Sequence, residues 1–320
     1  MATPSLTGIE TVLRSEFLRM YSAQTTPTWA RLVTPIDLTG EKRKKVTLPW
    51  LGAPMAFQEW TDRAHLSDPL DDSLEVSVKH YVGGIGFNID DYEDDNLGAI
   101  DIHAQQLVDR ADRKKWDLLV DYIKNGDANV TGFGLGHDGQ QFFDGDHFGV
   151  TDAQHDNLLA GTAAAAPNQT VAEIKGDLYD AIETMMELED DRGEVFDDAD
   201  PMVQGAFIAV VPTRIYGKFL EAVAAISISN NTVRPLSGIV DVIPSGRLTA
   251  DDQNDWYVFR VDRPIKPFVF VNRQEPRVRV TELTGELAVL ENRAAAVVDE
   301  RFALAYGAFH YAVKVVVAES

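Results

Sequence analysis

The stretch LGAIDIHAQQLVDRADRKKWDLLVDYIK, residues 97–124, predicts one long helix around which the rest of the chain can be arranged. Apolar side chains recur along it at helical spacing and form one face: Ile100, Leu107, Ala111, Leu118, Leu119 and Ile123. Charged side chains lie on the other face: Asp109, Arg110, Asp112, Arg113 and Lys114. At 1.5 Å per residue, about 28 residues make a rod of about 42 Å. This length indicates an element that runs along the whole subunit.

The sequence before this helix predicts extensions rather than a compact domain. Residues 1–40 include an apolar stripe at helical spacing, which predicts a short helix beginning near Thr7: Ile9, Leu13, Phe17 and Met20. Residues 41–88 predict a long two-stranded excursion with strands at 46–52 and 74–82. An isolated hairpin is marginally stable in water, so this one needs a partner surface. The glycines of residues 83–86 predict a bulge or bend after the second strand.

Beyond the long helix, the sequence contains both helix and strand signals and no internal repeat. Periodicity predicts helices at 171–188 and 214–225 and strands at 206–212, 239–243, 256–261, 268–272, 277–281 and 308–317. Strands precede and follow the helices in groups rather than in strict alternation. The order therefore favours an α+β fold over a repeated βαβ array.

Composition and charge exclude several functional classes. Of the 320 residues, 45% are hydrophobic and 25% charged, as in ordinary globular proteins. The chain carries 29 Lys and Arg against 51 Asp and Glu, a formal net charge of −22. This argues against a dedicated binder of nucleic acid or anionic membrane, because attraction to phosphate requires basic residues. The absence of cysteine excludes disulfides, thiol catalysis and cysteine-based metal sites.

No secretion or membrane signal is visible in the sequence. The N-terminus lacks a basic region followed by an apolar stretch. The longest apolar run, residues 302–318, contains Tyr306, His310 and Lys314, and it is shorter than the roughly 20 residues that span a bilayer. We therefore expect a soluble protein that is made in a cytosol and does not associate with membranes.

The densest cluster of possible metal ligands lies in residues 137–156. Its histidines and aspartates are of the types that bind zinc, iron or calcium: His137, Asp138, Asp144, Asp146, His147, Asp152, His155 and Asp156. Their spacing matches neither a calcium loop nor the His-Glu-x-x-His motif. Asp-Gly turns are common in surface loops for backbone reasons. A structural loop is the favoured interpretation, and the alternative is a metal-dependent hydrolase using His137, Asp144, Asp146 and His147.

Other motifs give no support for catalysis. The glycines of residues 132–139 do not match a dinucleotide or phosphate loop. Adjacent aspartates occur at predicted element boundaries, where caps and turns explain them. The sequence therefore predicts no catalytic residue, no cofactor and no metal.

One basic cluster stands out in this acidic chain. It consists of Lys42, Arg43, Lys44 and Lys45, at the root of the predicted excursion. A solvated surface is the simplest explanation for any single member. As a group, these residues could meet an acidic stretch such as Glu93, Asp94 and Asp95 on a neighbouring copy.

Several stretches together resemble the major head subunit family of Mu-like bacteriophages and prophages, in the family's order. They are Trp50-Leu51-Gly52 with Pro54 and Glu59-Trp60; residues 90–98 (DDYEDDNLG); residues 138–144 (DGQQFFD) with His147; residues 263–270 (RPIKPFVF) with Arg273 and Pro276; and residues 305–309 (AYGAF). The resemblance touches most of the chain from about residue 46 to the end and is weaker at 150–250.

The resemblance implies the α+β Hong Kong 97-type fold of tailed-phage capsids. In that fold an N-terminal arm and an extended loop flank a peripheral domain with a long spine helix, and an axial domain surrounds the symmetry axes. The corresponding ranges here are 1–40 for the arm, 41–88 for the extended β-hairpin loop, 89–166 for the first part of the peripheral domain with its spine helix at 97–124, 167–250 for the axial domain, and 251–320 for the strand-rich second part of the peripheral domain.

The resemblance also implies a structural protein, not an enzyme. It would be the major capsid protein of a virion, assembled in the host bacterial cytoplasm into hexamers and pentamers of an icosahedral shell around double-stranded DNA. Expected partners are copies of itself, portal, scaffold or decoration proteins, and DNA bound without sequence specificity. Trp50 and Trp60 join the basic and acidic clusters as expected subunit contacts. A gene-transfer particle and a nanocompartment, both shells of the same fold, are alternatives that the sequence leaves open, because it does not indicate what is packaged.

Overall fold

The computed structural model describes residues 27–40, 45–49, 73–88, 97–148, 154–162, 169–189, 195–196, 203–224, 236, 238–248, 254–280 and 290–317. The helix predicted near Thr7 and the tip of the predicted hairpin lie outside these ranges. Within them, the helices are α1 (Leu97–Lys124), α2 (Val171–Glu187) and α3 (Tyr216–Ala224), with 3-10 helices at Thr28–Arg31 and Phe309–Tyr311. No helix in these ranges is long and apolar enough to cross a bilayer.

The strands of the same ranges form two larger sheets and two separate strand pairs. In chain order they are β1 (Val33–Asp37), β2 (Lys45–Pro49), β3 (Ser73–Ser77), β4 (Lys79–Asn88), β5 (His147–Phe148), β6 (Gln154–His155), β7 (Leu158–Ala160), β8 (Phe207–Pro212), β9 (Val240–Ser245), β10 (Trp256–Arg260), β11 (Phe268–Val280), β12 (Arg293–Tyr306) and β13 (Ala312–Val316). The mixture of helices and strands agrees with the predicted fold class.

The three helices lie where hydrophobic periodicity predicts them. The bounds of α1 are those predicted from the sequence, and Leu119 and Ile123 of its apolar face are fully buried. A capping box begins α2, in which the Thr170 hydroxyl accepts a hydrogen bond from the Glu173 N–H and the Glu173 carboxylate accepts one from the Thr170 N–H. The box satisfies two of the donors that a helix start leaves without an intrahelical partner.

The first sheet has four strands in the order β1-β11-β12-β4, and α1 lies against one of its faces. The predicted bulge at residues 83–86 is wrong, because these residues pair with β12 in an unbroken register. A Cβ added at Gly83 would lie 3.3 Å from Cδ1 of Leu107 in α1, and one added at Gly84 would lie 3.0 Å from the Ala296 carbonyl oxygen. The glycines are therefore explained by the close approach of α1 and β12 to β4.

The second sheet has five strands in the order β7-β13-β10-β8-β9, and α2 and α3 cover one face. The central strand β10 shows the alternation expected of a strand buried on both sides. Trp256 and Val258 pack with α2 and α3, whereas Tyr257 and Phe259 pack on the opposite side of the sheet.

The two sheets share a hydrophobic core. It combines residues of α1, of the loop after α1 and of both sheets: Leu119, Ile123, Phe142, Phe143, Ile208, Val210, Tyr257, Phe259, Phe268, Phe302 and Tyr306. Two buried hydroxyls tie α1 to β12, since Tyr122 donates to the Leu304 carbonyl at 2.7 Å and Tyr306 donates to the Tyr122 carbonyl at 3.0 Å. The long helix is thus fixed between the two sheets.

Two strand predictions require correction in the N-terminal half and at the C-terminus. The predicted strand 74–82 is two strands, because β3 pairs with β2 whereas β4 pairs with β12. The predicted strand 308–317 begins with the 3-10 helix Phe309–Tyr311, and only β13 is extended.

The strands of residues 251–320 divide between the two sheets. The runs 268–272 and 277–281 belong to one strand, β11, which has register shifts on either side of Gln274. The long strand β12 was not predicted. It completes the four-stranded sheet with β11, whereas β10 and β13 join the five-stranded sheet.

Candidate functional site

The histidines and aspartates of residues 137–147, here the His–Asp loop, are held by contacts within the protein. His147 is fully buried, and its Nδ1 lies 2.5 Å from Oδ2 of Asp138. Oδ1 of Asp138 accepts a hydrogen bond from the Gln140 N–H at 3.1 Å. Burial alone would raise the pKa of Asp138, but the hydrogen bond from His147 and the charges of the nearby histidines outweigh it and lower the pKa. The side chains of His147 and Asp138 therefore pair with each other and stabilise the conformation of this loop.

Aromatic stacking joins this loop to the C-terminal 3-10 helix. The His147 ring lies parallel to the Phe309 ring at 3.8 Å between centroids, and His137 stacks on the same ring at 5.3 Å. His310 stacks between Phe309 at 3.9 Å and Phe196 at 4.0 Å. The arrangement fastens three separate segments to one another.

The predicted hydrolase residues do not form a metal centre. No group of three or more His, Asp or Glu side chains in the described part of the chain is placed to hold a metal ion. His137 and His147 face Phe309, and Asp146 is exposed. The N–H of Asp144 donates to Oδ1 of Asn157. The His–Asp loop is therefore a packing element.

Asn157, which the sequence did not single out, is the residue that anchors the His–Asp loop. Its buried side chain accepts from the Asp144 N–H at 2.8 Å and donates to the Phe142 carbonyl at 2.9 Å. Its own carbonyl accepts from the Lys314 N–H at 2.9 Å. One asparagine thus connects the loop to β13, and no local sequence signal distinguishes it from other asparagines of turn-rich segments.

Most of the predicted subunit-contact residues lie outside the described ranges. These are Lys42, Arg43, Lys44, Trp50, Trp60, Glu93, Asp94 and Asp95. Lys45 is described: it is exposed and forms an ion pair with Glu75 across β2 and β3. The contacts between subunits that the sequence predicts stay predictions for all of these residues, including Lys45.

A second cluster, absent from the sequence predictions, surrounds Asp299 in the middle of the four-stranded sheet. The Asp299 side chain is fully buried and accepts hydrogen bonds from Arg277 at 3.0 Å and Gln274 at 2.9 Å. Arg279 Nε lies 2.9 Å and His80 Nε2 3.2 Å from its oxygens. Burial alone would raise the pKa of Asp299, but the hydrogen bonds from these neighbours dominate and hold the pKa well below its usual range.

The lowered pKa of Asp299 predicts a stability contribution that acid removes. Because the folded-state pKa is below the unfolded value of about 4, the contribution is complete above pH 4 and fades as the pH falls below it. We expect Asp299→Asn to lower the free energy of unfolding at pH 7 by roughly 1–3 kcal/mol and to differ less from wild type at pH 3. Urea unfolding of the unassembled subunit at both pH values measures this. Asp241→Asn, which breaks the exposed Arg31–Asp241 pair, is the control and should cost less than about 1 kcal/mol. A loss at pH 3 equal to that at pH 7 would contradict the prediction.

A buried ion pair fixes α1 to the other side of the same sheet. Lys115 Nζ lies 2.9 Å from the Glu300 carboxylate, with side-chain exposures of 3% and 6%. The ammonium also lies 5.7 Å from the ring centroids of Trp29 and Phe302. Burial raises the pKa of Glu300, and the charge of Lys115 opposes that rise without cancelling it.

Comparison with known proteins identifies the family. The sequence profile of the family described as "Mu-like prophage major head subunit gpT" matches residues 6–171 and 240–317, well over half of the chain. The chain belongs to this family. Membership in the Mu-like head subunit family places it among capsid structural proteins rather than enzymes, as the sequence predicted.

One relative and two solved structures illustrate the similarity. The major capsid protein of Escherichia phage Mu is 29% identical over 101 residues, and the matched stretch covers 32% of each chain. A procapsid structure of bacteriophage JBD30 has a TM-score of 0.55 at 19% identity, covering 100% of this chain and 77% of the other. The mature capsid of bacteriophage PhiM1 has a TM-score of 0.59 at 12% identity, covering 93% and 89%.

These structural similarities concern the fold. They confirm the prediction of a mixed helix-and-strand capsid fold of the Hong Kong 97 type for this Mu-like head subunit. The His–Asp loop, whose residues 138–144 contributed to the resemblance, lies inside the range that the family profile matches. Its observed contacts assign these residues a role in packing.

Proposed function

We propose that this chain is the major capsid protein of a tailed bacteriophage or prophage. It would self-assemble into hexamers and pentamers of an icosahedral shell around double-stranded DNA and would be a component of the virion. The family match over residues 6–171 and 240–317 is the observation that carries this proposal. The capsid fold supports it independently.

The two sheets suggest how the subunit is divided within a shell. We assign the four-stranded sheet and α1, as spine helix, to the peripheral domain, and the five-stranded sheet with α2 and α3 to the axial domain. Residues 251–320 would then contribute to both, since β10 and β13 lie in the five-stranded sheet. The predicted arm (1–40) and extended loop (41–88) would then each contribute one strand, β1 and β4, to the peripheral sheet, and only the rest of each range would extend from the subunit.

The extensions and the net charge both fit a shell. Within the described residues, the pair β2–β3 packs on the four-stranded sheet around Val76, which lies with Val271 and Ala303. An isolated hairpin is marginally stable, so we expect the rest of the loop to be supported by a neighbouring copy. A net charge of −22 keeps an inner wall from adhering to tightly packed DNA, because like charges repel. Many repeated contacts between identical subunits would then stabilise the shell.

Particle size tests the proposal directly. We expect the purified chain to form closed shells, rings or tubes by light scattering and negative-stain electron microscopy, whereas a lone subunit has a radius of gyration of about 20 Å.

Replacing Trp50 and Trp60 by alanine should abolish assembly and leave the subunit folded by circular dichroism, because these residues are the proposed loop anchors. Conservative replacement of both by phenylalanine is the matched control and should retain assembly.

Two outcomes would overturn these proposals separately. A chain that stays monomeric with crowding agent and scaffold protein supplied would contradict the capsid function. Intact particles from the double alanine variant would contradict docking through Trp50 and Trp60 alone. Purified shells that contain no DNA would favour a nanocompartment of the same fold over a phage head. Portal, scaffold and decoration proteins are the further partners to look for in such preparations.

A further inference from the structure

The four-stranded sheet presents a cationic face on the side opposite α1. In β12, Glu300 and Phe302 contact α1 and its neighbours, so the residues that alternate with them point the other way. We call this side the arginine face; it carries Arg277, Arg279, Arg293, Arg301 and His80 around the single buried carboxylate of Asp299.

Asp299 holds the central arginines in place without neutralising the face. The side chains of Arg277 and Arg279 contact Asp299 through Nε and remain 53% and 56% exposed. Arg293 and Arg301 are exposed on the same strand face. Four arginines against one carboxylate make this face positive in a chain of net charge −22. Oriented, partly immobilised guanidinium groups are well suited to bind carboxylates.

An apolar residue in the middle of the face points to a protein partner. Val82 pairs with Asp299 across β4 and β12 and is 59% exposed. A phosphate backbone would gain nothing from an apolar contact there. An acidic peptide with one aromatic or aliphatic side chain would satisfy both Val82 and the arginines.

We propose that the arginine face binds the acidic run Asp90-Asp91-Tyr92-Glu93-Asp94-Asp95 of a second copy of this chain. The run supplies five carboxylates around one aromatic residue, Tyr92, which matches the arrangement of arginines around Val82. This inference rests on the proposed function, since a shell is what brings many copies together. It gives the acidic residues Glu93, Asp94 and Asp95 a receptor different from the basic cluster of Lys42 to Lys45.

Chain length keeps the acidic run of the same copy away from the centre of the arginine face, around Val82 and Arg277. The run lies in residues 89–96, which connect Asn88 at the end of β4 to Leu97 at the start of α1. Val82 is six residues back along β4, about 20 Å away. Eight residues extend to at most about 28 Å, and they must return to α1 on the opposite face of the sheet. A round trip of about 40 Å is out of reach, so a run that contacts Val82 and the central arginines belongs to another copy, whereas Arg293, which pairs with Asn88, is within reach of either.

A binding experiment tests this without requiring shells. The probe is a fluorescently labelled peptide of residues 88–97, titrated with the full-length, unassembled chain. We expect saturable binding that weakens as salt rises, and at least about fivefold weaker binding to the variant Arg277→Gln/Arg279→Gln. Arg301→Gln removes a charge from the face without removing a donor to Asp299, and it should weaken binding about twofold. Arg247→Gln, which alters an exposed arginine paired with Asp117 and Asp121 elsewhere, should bind as wild type does.

Each other outcome contradicts the inference. A wild-type chain that forms shells and does not bind the peptide would overturn the inference and leave the capsid function intact. Equal binding of a peptide with all carboxylates converted to amides would show that charge is not recognised. Binding of duplex DNA in place of the peptide, lost in Arg301→Gln, would assign the face to nucleic acid. Thermal unfolding of each variant separates lost binding from lost fold.

Discussion

Replacing Lys115 by methionine is expected to lower the free energy of unfolding by about 3–5 kcal/mol, because it leaves the buried Glu300 carboxylate without its partner. Lys115 and Glu300 are 3% and 6% exposed and lie 2.9 Å apart. The loss should become smaller at acidic pH, since burial raises the pKa of Glu300 and a protonated carboxyl no longer requires a cation. Urea unfolding of the unassembled subunit at neutral and at acidic pH measures the loss of stability and its dependence on pH.

Two matched variants distinguish the buried pair from a general effect of lysine loss. Lys114→Met changes the exposed neighbour of Lys115 in α1 and should change stability by no more than about 0.5 kcal/mol. The double variant Lys115→Met/Glu300→Leu removes both charges and should recover most of the lost stability. A double variant as unstable as Lys115→Met alone would show that packing of the lysine stem, and not the stranded carboxylate, causes the loss.

Replacing Phe142 by alanine is expected to cost about 3–5 kcal/mol, because it opens a cavity where the two sheets meet. Phe142 is fully buried, and its ring lies 4.7 Å from Tyr306, 5.0 Å from Phe143 and 5.2 Å from Phe268 between centroids. The loss should appear in denaturant unfolding with little change in the dependence on denaturant concentration.

Phe142→Leu is the matched control for this prediction. Leucine keeps much of the side-chain volume, so the cost should be less than half that of alanine. If alanine cost under about 1 kcal/mol, the His–Asp loop would pack on the core without being part of it. The large expected loss follows from the assignment of residues 138–144 to structure rather than to chemistry.

Elements with long local patterns could be predicted from the sequence. The helix at 97–124 shows its apolar face over eight turns, and its bounds agree with the structure. The strand β8 is a short continuous apolar run, typical of a strand buried on both faces. In both, the signal lies within the element itself and does not depend on what packs against it.

The strand β12 could not be predicted, because charged side chains on both of its faces obscure the strand pattern. Asp299 faces the arginines and Glu300 faces Lys115 of α1, so neither side appears apolar in the sequence. The partners that stabilise each charge lie 20 or more residues away in the chain. The same holds for Asn157, whose role depends on a loop and a strand brought together by the tertiary fold.

The position of β13 in its sheet affects when a subunit can finish folding. This strand, Ala312–Val316, lies between β7 and β10, so a strand synthesised after the other four of its sheet fills an interior place. Until β13 emerges from the ribosome, β7 lacks the strand that pairs with it in the described sheet, and one edge of β10 is open. Pairing over such sequence distances is slow. We therefore expect the five-stranded sheet to close only once β13 is available, which would keep incomplete subunits out of growing particles and make chains truncated before Ala312 defective.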